Sequence, residues 1–229
     1  MLQERILKGV HMYIQLNGQV IYYEKTGEGS PIILAHGNGE THKIFDILIP
    51  ELSRKHTVYA LDTRGHGESA SPEQYHYSDM AEDIAAFVHA LDLTKPAFYG
   101  FSDGGITGLI CASRYPSLFS SLVVSGANLS PRGLKFPVRL HFRRAYIKKK
   151  DKLTALMLKE PHITKYELSR ITVPTLVLAG SKDIVKKRET KKIAKYIPRA
   201  TLHILPGEDH SSYVIHSPKL FPLLMDFWH

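Results

Sequence analysis

Gly100-Phe101-Ser102-Asp103-Gly104 is the stretch on which the reading of this chain turns. It follows a short apolar run, Pro96 to Tyr99, and opens a segment of helical spacing, Ile106 to Tyr115. A serine caught between a strand and a helix sits on a turn so sharp that only small residues two positions to either side let the backbones pass, which is the part of Gly100 and Gly104. The turn holds the hydroxyl out toward substrate. Five residues of this kind recur by chance, so their weight comes from what stands upstream and downstream.

Three further pieces are present. Ala35-His36-Gly37-Asn38-Gly39 follows the strand-like run Pro31 to Leu34 and forms a loop able to turn its backbone N–H groups toward the serine. The amides of Asn38 and of Asp103, at the positive end of the following helix, are the expected donors to a developing oxyanion. Asp183 lies just beyond the apolar run Thr175 to Leu178, where a carboxylate can orient a histidine. His210 follows the strand-like Thr201 to Leu205, late enough in the chain to fold back over Ser102 and serve as general base. Asp209 and Asp62 are rival acids. Asp209 is disfavoured because a side chain adjacent to the histidine points poorly for that bond, and Asp62 because it belongs with the Arg64 loop.

The serial order Ser102, Asp183, His210 differs from that of the chymotrypsin-type and subtilisin-type triads. With it, and with Asp62-Thr63-Arg64-Gly65-His66-Gly67-Glu68-Ser69 after the fourth strand, the sequence resembles the α/β-hydrolase superfamily from roughly Ile14 to Trp228. The resemblance implies an α/β fold in which a mostly parallel eight-stranded sheet is flanked by helices. It also implies a serine esterase that acts on a small ester-like molecule.

Eight apolar or alternating runs agree with that sheet: Tyr13 to Leu16, Val20 to Glu24, Ile32 to Ala35, Thr57 to Leu61, Ala97 to Tyr99, Leu122 to Ser125, Thr175 to Leu178 and Thr201 to Leu205. The first two, joined at Asn17-Gly18, read as an edge hairpin. Helical spacing is expected at Ile44 to Leu52, Ser78 to Ala90, Gly104 to Tyr115, Thr190 to Tyr196 and Pro218 to Phe227. From about 129 to 170 the alternation breaks into a basic and apolar mixture that reads as a short helical cap inserted in a single 1–229 domain. Its bulky residues Phe136, Phe142, Tyr146 and Met157, with Phe101 and Tyr213 from outside it, are candidates to line a pocket.

Composition narrows the alternatives. At 229 residues and 43% hydrophobic the chain can bury one sizeable core, and no window is apolar for long enough to span a membrane, so no membrane partner is expected. Met1 to Gly9 carries no apolar signal core, and the single cysteine, Cys111, cannot form an internal disulfide, so cytoplasmic residence is expected. Met12 offers a second start, which makes the first eleven residues readable as an extension. The net charge of +8 invites a nucleic-acid reading through Lys148 to Lys150, Lys186 to Arg188 and Lys191 to Lys195. No nucleic-acid motif accompanies these lysines, and a solvated helix face accounts for the second cluster, although steering of anionic substrates stays open. No histidines stand at metal spacing, and no glycine-rich phosphate loop follows a strand, so neither metal nor organic cofactor is expected. His36 is expected to brace the oxyanion loop.

The stretch Gly100 to Leu109, continued at Tyr115-Pro116 and Gly126-Ala127-Asn128, is similar to the elbow region of the biphenyl-hydrolase-like (valacyclovir hydrolase) enzymes. That likeness implies a role for Asp103 in recognising the amino group of α-amino-acid esters. The short cap departs from that group. Two other functions remain open on the same scaffold, hydrolysis of carbon–carbon bonds and non-enzymatic ligand reception.

Overall fold

The computed structural model describes residues 9–228. All eight expected strands form one sheet in the order β1-β2-β4-β3-β5-β6-β7-β8. These are β1 (Val10–Leu16), β2 (Gln19–Thr26), β3 (Ser30–Ala35), β4 (His56–Leu61), β5 (Ala97–Phe101), β6 (Ser121–Ser125), β7 (Thr175–Gly180) and β8 (Ala200–Leu205). The hairpin β1-β2 sits at one edge, β2 meets β4 antiparallel, and every pair from β4 to β8 is parallel. The expected extension ends sooner than the second start suggested: Val10 and His11 already pair with Lys25 and Glu24, while residues 1–8 lie outside the described residues.

The central strands read as continuous apolar runs because both faces of the sheet are covered. Along β3, Ile33 and Ala35 enter one core cluster while Ile32 and Leu34 enter the other. On the first face lie α2 (Tyr77–Ala90), α3 (Asp103–Arg114) and α7 (Lys187–Tyr196), which contribute Phe87, Ile106 and Ile193. The second face is closed by α1 (Leu48–Leu52) and α8 (Leu220–Trp228), through Leu48 and Leu224. The single helix expected over Ile44 to Leu52 is broken: a 3-10 turn covers His42–Phe45, capped by the Thr41 hydroxyl, and α1 follows as a separate short helix. Cys111 is buried in α3, and burial pushes its thiol pKa well up.

Between β6 and β7 the chain forms α4 (Phe136–Lys149), α5 (Lys152–Lys159) and α6 (Lys165–Ser169). The last of these does not stay with the others. Leu168 is fully buried in the first core cluster, and α6 packs on α3 and α7. Only the part before it stands over the carboxyl ends of the strands. The loop after β4 is fixed by Arg64, whose guanidinium forks onto Asp83 of α2 at 2.6 and 2.7 Å.

Candidate active site

The carboxyl ends of β3, β5, β7 and β8 deliver the four segments singled out in the sequence to one place. Ser102 stands between β5 and α3 with φ 52° and ψ −110°, a backbone conformation that costs about 1–3 kcal/mol for a residue with a side chain. The two glycines permit it. A Cβ on Gly100 would lie 2.2 Å from the Gly104 carbonyl oxygen, and one on Gly104 would lie 2.2 Å from the Ala35 oxygen. The Ser102 amide is anchored to the Ser125 carbonyl at the end of β6, 2.8 Å away.

His210 Nε2 lies 3.1 Å from Ser102 Oγ, and its Nδ1 lies 2.7 Å from Asp183 Oδ1. The same carboxylate oxygen accepts the Val185 amide at 2.8 Å, which fixes its direction. Asp183 is buried, whereas the histidine side chain keeps 16% of its surface exposed. The rival acids are committed elsewhere. Asp209 accepts the amides of Ser211 and Ser212, both at 2.9 Å, and these bonds hold its carboxyl below the usual range. Asp62 accepts the amides of His42 and Glu68 and bonds the His42 ring, so it belongs to the far side of the sheet end.

The loop after β3 is braced from below. The His36 ring is buried, and burial beside His66 drives its pKa down to about 3. As a neutral ring it donates from Nδ1 to the Gly37 carbonyl (2.7 Å) and accepts the Thr63 amide at Nε2 (3.1 Å). Gly104 N–H reaches the His36 carbonyl at 3.0 Å, tying this loop to the first turn of α3. Neither the Asn38 amide nor the Asp103 amide is spent on a carbonyl among the described residues. Both flank Ser102.

A cavity of about 160 Å³ opens at Ser102 and is also lined by Phe101, Asp103 and His210. Phe142 and Met157 enter from the α4-α5 segment as expected, while the other three candidates, Phe136, Tyr213 and Tyr146, do not reach it. Phe136 points into solvent at 65% exposure. Tyr213 is fully buried in the second core cluster. The amides of Val214 and Ile215 both bond the Ser211 carbonyl, so the chain coils just after His210 and turns this ring inward. Tyr146 lines a neighbouring hollow instead.

Three wall residues, Glu40, Tyr77 and Glu160, were not singled out in the sequence. Tyr77, at the start of α2, donates its hydroxyl to Asp103 Oδ1 (2.8 Å) and its amide to Glu160 Oε2 (3.1 Å). Glu40 accepts the Gly37 amide at 2.9 Å, and burial raises its pKa. Asp103 also accepts the Asn38 side-chain amide at 2.8 Å, and its burial, only partly offset by these bonds, pushes its carboxyl pKa up. The cavity therefore presents Glu40, Asp103 and Glu160 with no lysine or arginine among them. Glu40 alone was legible in principle, as an acidic residue set into the loop that faces the serine.

A family model described as the alpha/beta hydrolase fold matches residues 30–137. The human serine hydrolase BPHL (Homo sapiens) is 30% identical over 248 residues, covering 93% of this chain and 84% of its own. A 2-hydroxy-6-oxo-6-(2'-aminophenyl)hexa-2,4-dienoic acid hydrolase of Metapseudomonas resinovorans is 31% identical over 52% of this chain and 42% of its own. Among solved structures, a serine hydrolase involved in carbazole degradation (CarC) superposes with a TM-score of 0.80 at 23% identity. It covers 96% of this chain and 99% of its own, a likeness of fold. No helix among the described residues is long and apolar enough to cross a membrane.

Proposed function

The chain belongs to the alpha/beta hydrolase superfamily, and on that premise we propose that it is a serine hydrolase cleaving a carboxylic ester, or a related acyl bond, of a small molecule. The reading rests on one observation, the hydrogen-bonded run Asp183–His210–Ser102 beside a small cavity at the strand ends. His210 Nε2 takes the Ser102 proton as Oγ attacks the carbonyl carbon. The amides of Asn38 and Asp103 receive the oxyanion, and each such donor is worth about 10²–10³ in rate. His210 then protonates the leaving alcohol, and water, activated by the same nitrogen, releases the acyl group from Ser102. Asp183 holds the productive tautomer. The residues from about 129 to the end of α5 act as a cap that narrows the acyl side.

The walls favour a cationic substrate. Asp103 is buried with only neutral donors on its two oxygens, so an ammonium group beside it recovers electrostatic energy that burial costs. This supports the aminoacyl-ester specificity implied by the resemblance of the elbow region. A dienoic acid, the kind of substrate in the Metapseudomonas enzyme's name, is an anion and meets three carboxylates here, which weighs against the carbon–carbon reading.

Hydrolysis of matched neutral and aminoacyl p-nitrophenyl esters tests both levels. Ser102→Ala is expected to lose roughly 10⁶ in kcat on every ester. Asp103→Asn keeps both backbone donors and is expected to lose about 10–100-fold on aminoacyl esters alone. Equal losses on both ester classes would remove the amine role, and an inactive wild type would bring ligand reception forward.

A further inference from the structure

α4 differs from the other long helices of the molecule in that none of its side chains is buried. Its inward side faces the cavity through Phe142, while Phe136 and Ile147 share another, solvent-facing side with Arg143 and the half-buried Leu140 between them. Phe136 and Ile147 are 65% and 64% exposed. α7 carries as many lysines and arginines, five, yet its apolar stripe is consumed by the core through Ile193, which leaves mainly charge at its surface.

The charge around these two apolar side chains is almost all of one sign. From Lys135 to Lys152 there are eight lysines and arginines and one acid, Asp151, so this stretch carries +7 of the chain's net +8. A helix carrying this many cations is drawn to an anionic lipid surface at about 1 kcal/mol per cation, and the exposed Phe136 and Ile147 add apolar contact there. At 14 residues it is about 21 Å long, too short to cross a bilayer and long enough to lie on one.

We propose that the outer face of α4 docks on an anionic lipid bilayer, with Phe136 and Ile147 entering the headgroup region and the flanking arginines and lysines meeting lipid phosphates. A second copy of the chain is a poor occupant, because two such faces repel. A nucleic acid matches the charge and leaves the two apolar side chains unused. Docking in this orientation holds the catalytic cavity about one helix diameter, roughly 10 Å, from the lipid. The expected absence of a membrane partner rested on spanning helices, and a helix lying on the surface escapes that criterion.

Co-sedimentation of the full chain with phosphatidylcholine vesicles, with and without phosphatidylglycerol, tests the proposal. Binding is expected only with phosphatidylglycerol present, and it weakens as salt rises. Each cation near an anionic surface contributes roughly fivefold in affinity, so R143E/R144E is expected to lose roughly 25-fold or more. F136S/I147S is expected to lose at least about tenfold with the charge intact. K191E/K195E on α7 is the charge-matched control and keeps most of the binding. Melting curves verify that each variant is folded. Absence of binding, or equal losses from the α4 and α7 charge variants, overturns the proposal. Undiminished binding of F136S/I147S does so as well, because it marks a surface that reads charge alone, as a nucleic-acid face does.

Discussion

Two aspartate–histidine pairs at the strand ends, each with its aspartate buried, share one geometry and have different third partners. His210 Nδ1 lies 2.7 Å from Asp183, and His42 Nδ1 lies 2.7 Å from Asp62. Beyond the first ring Nε2 meets the Ser102 hydroxyl at 3.1 Å, and beyond the second it meets the Glu24 carboxylate at 3.0 Å. Burial alone would lower the His42 pKa, but its bonds to Asp62 and Glu24 outweigh that and raise it. A ring gripped by two acids keeps its proton and cannot accept another. A ring with one acid and one hydroxyl has a nitrogen available for proton transfer, and 16% exposure of its side chain keeps it within reach of substrate. The pair alone therefore carries no chemistry; the third partner, and the strained turn that presents it, decide the use.

The comparison breaks or sharpens under substitution of the two acids. Asp183→Asn is expected to cost on the order of 10⁴ in kcat, since the amide selects the wrong histidine tautomer, with little change in melting temperature. Asp62→Asn is expected to do the reverse. It leaves a buried imidazolium with one acid instead of two, and breaking a buried pair costs about 3–5 kcal/mol, while kcat of the folded fraction stays within about tenfold. Steady-state kinetics and thermal melts on both proteins read the contrast. A catalytically dead but stable Asp62→Asn protein would erase the distinction.

A smaller effect separates the pairs by pH. The fold favours charged His42, so its contribution is complete below the ordinary histidine value of 6.5 and fades as pH rises through the higher folded value. Asp62 is held below its ordinary 3.8, because hydrogen bonds from the His42 ring and the His42 and Glu68 amides outweigh burial. Its contribution is present above 3.8 and fades only as pH falls through that lower value. Wild-type melting temperature should therefore decline from mildly acidic to alkaline pH by more than that of Glu24→Gln, whose His42 has lost one carboxylate. At pH 7 that variant is expected to lose about 1 kcal/mol. Parallel pH slopes for the two proteins would show that Glu24 does not hold the proton.

Much of the site was legible because strand ends and tight turns write themselves locally. Gly100 and Gly104 bracket Ser102 within five residues, and Asp183 and His210 each follow an apolar strand whose end places them. The sheet was legible for the same reason, since its buried strands are unbroken apolar runs. The cavity walls were not. Tyr77 joins Asp103 to Glu160 across 26 and 83 residues, and no local pattern encodes such meetings. Tyr213 misleads through nearness: three residues from His210 is close in sequence, but the coil at Ser211 sends the ring into the core. Phe136 misleads through type, because an aromatic at helical spacing reads as lining whether it faces cavity or solvent.

Cys111, sealed inside α3 with its thiol kept protonated by burial, has a practical use. The chain offers thiol reagents nothing to attack in the folded state, so the native sulfur need not be engineered away. A cysteine introduced on the exposed row of α4 or at the cavity rim becomes the sole address for a maleimide dye or spin label. Position-specific reporters of depth, distance and local motion can then be placed one at a time on an otherwise unaltered protein.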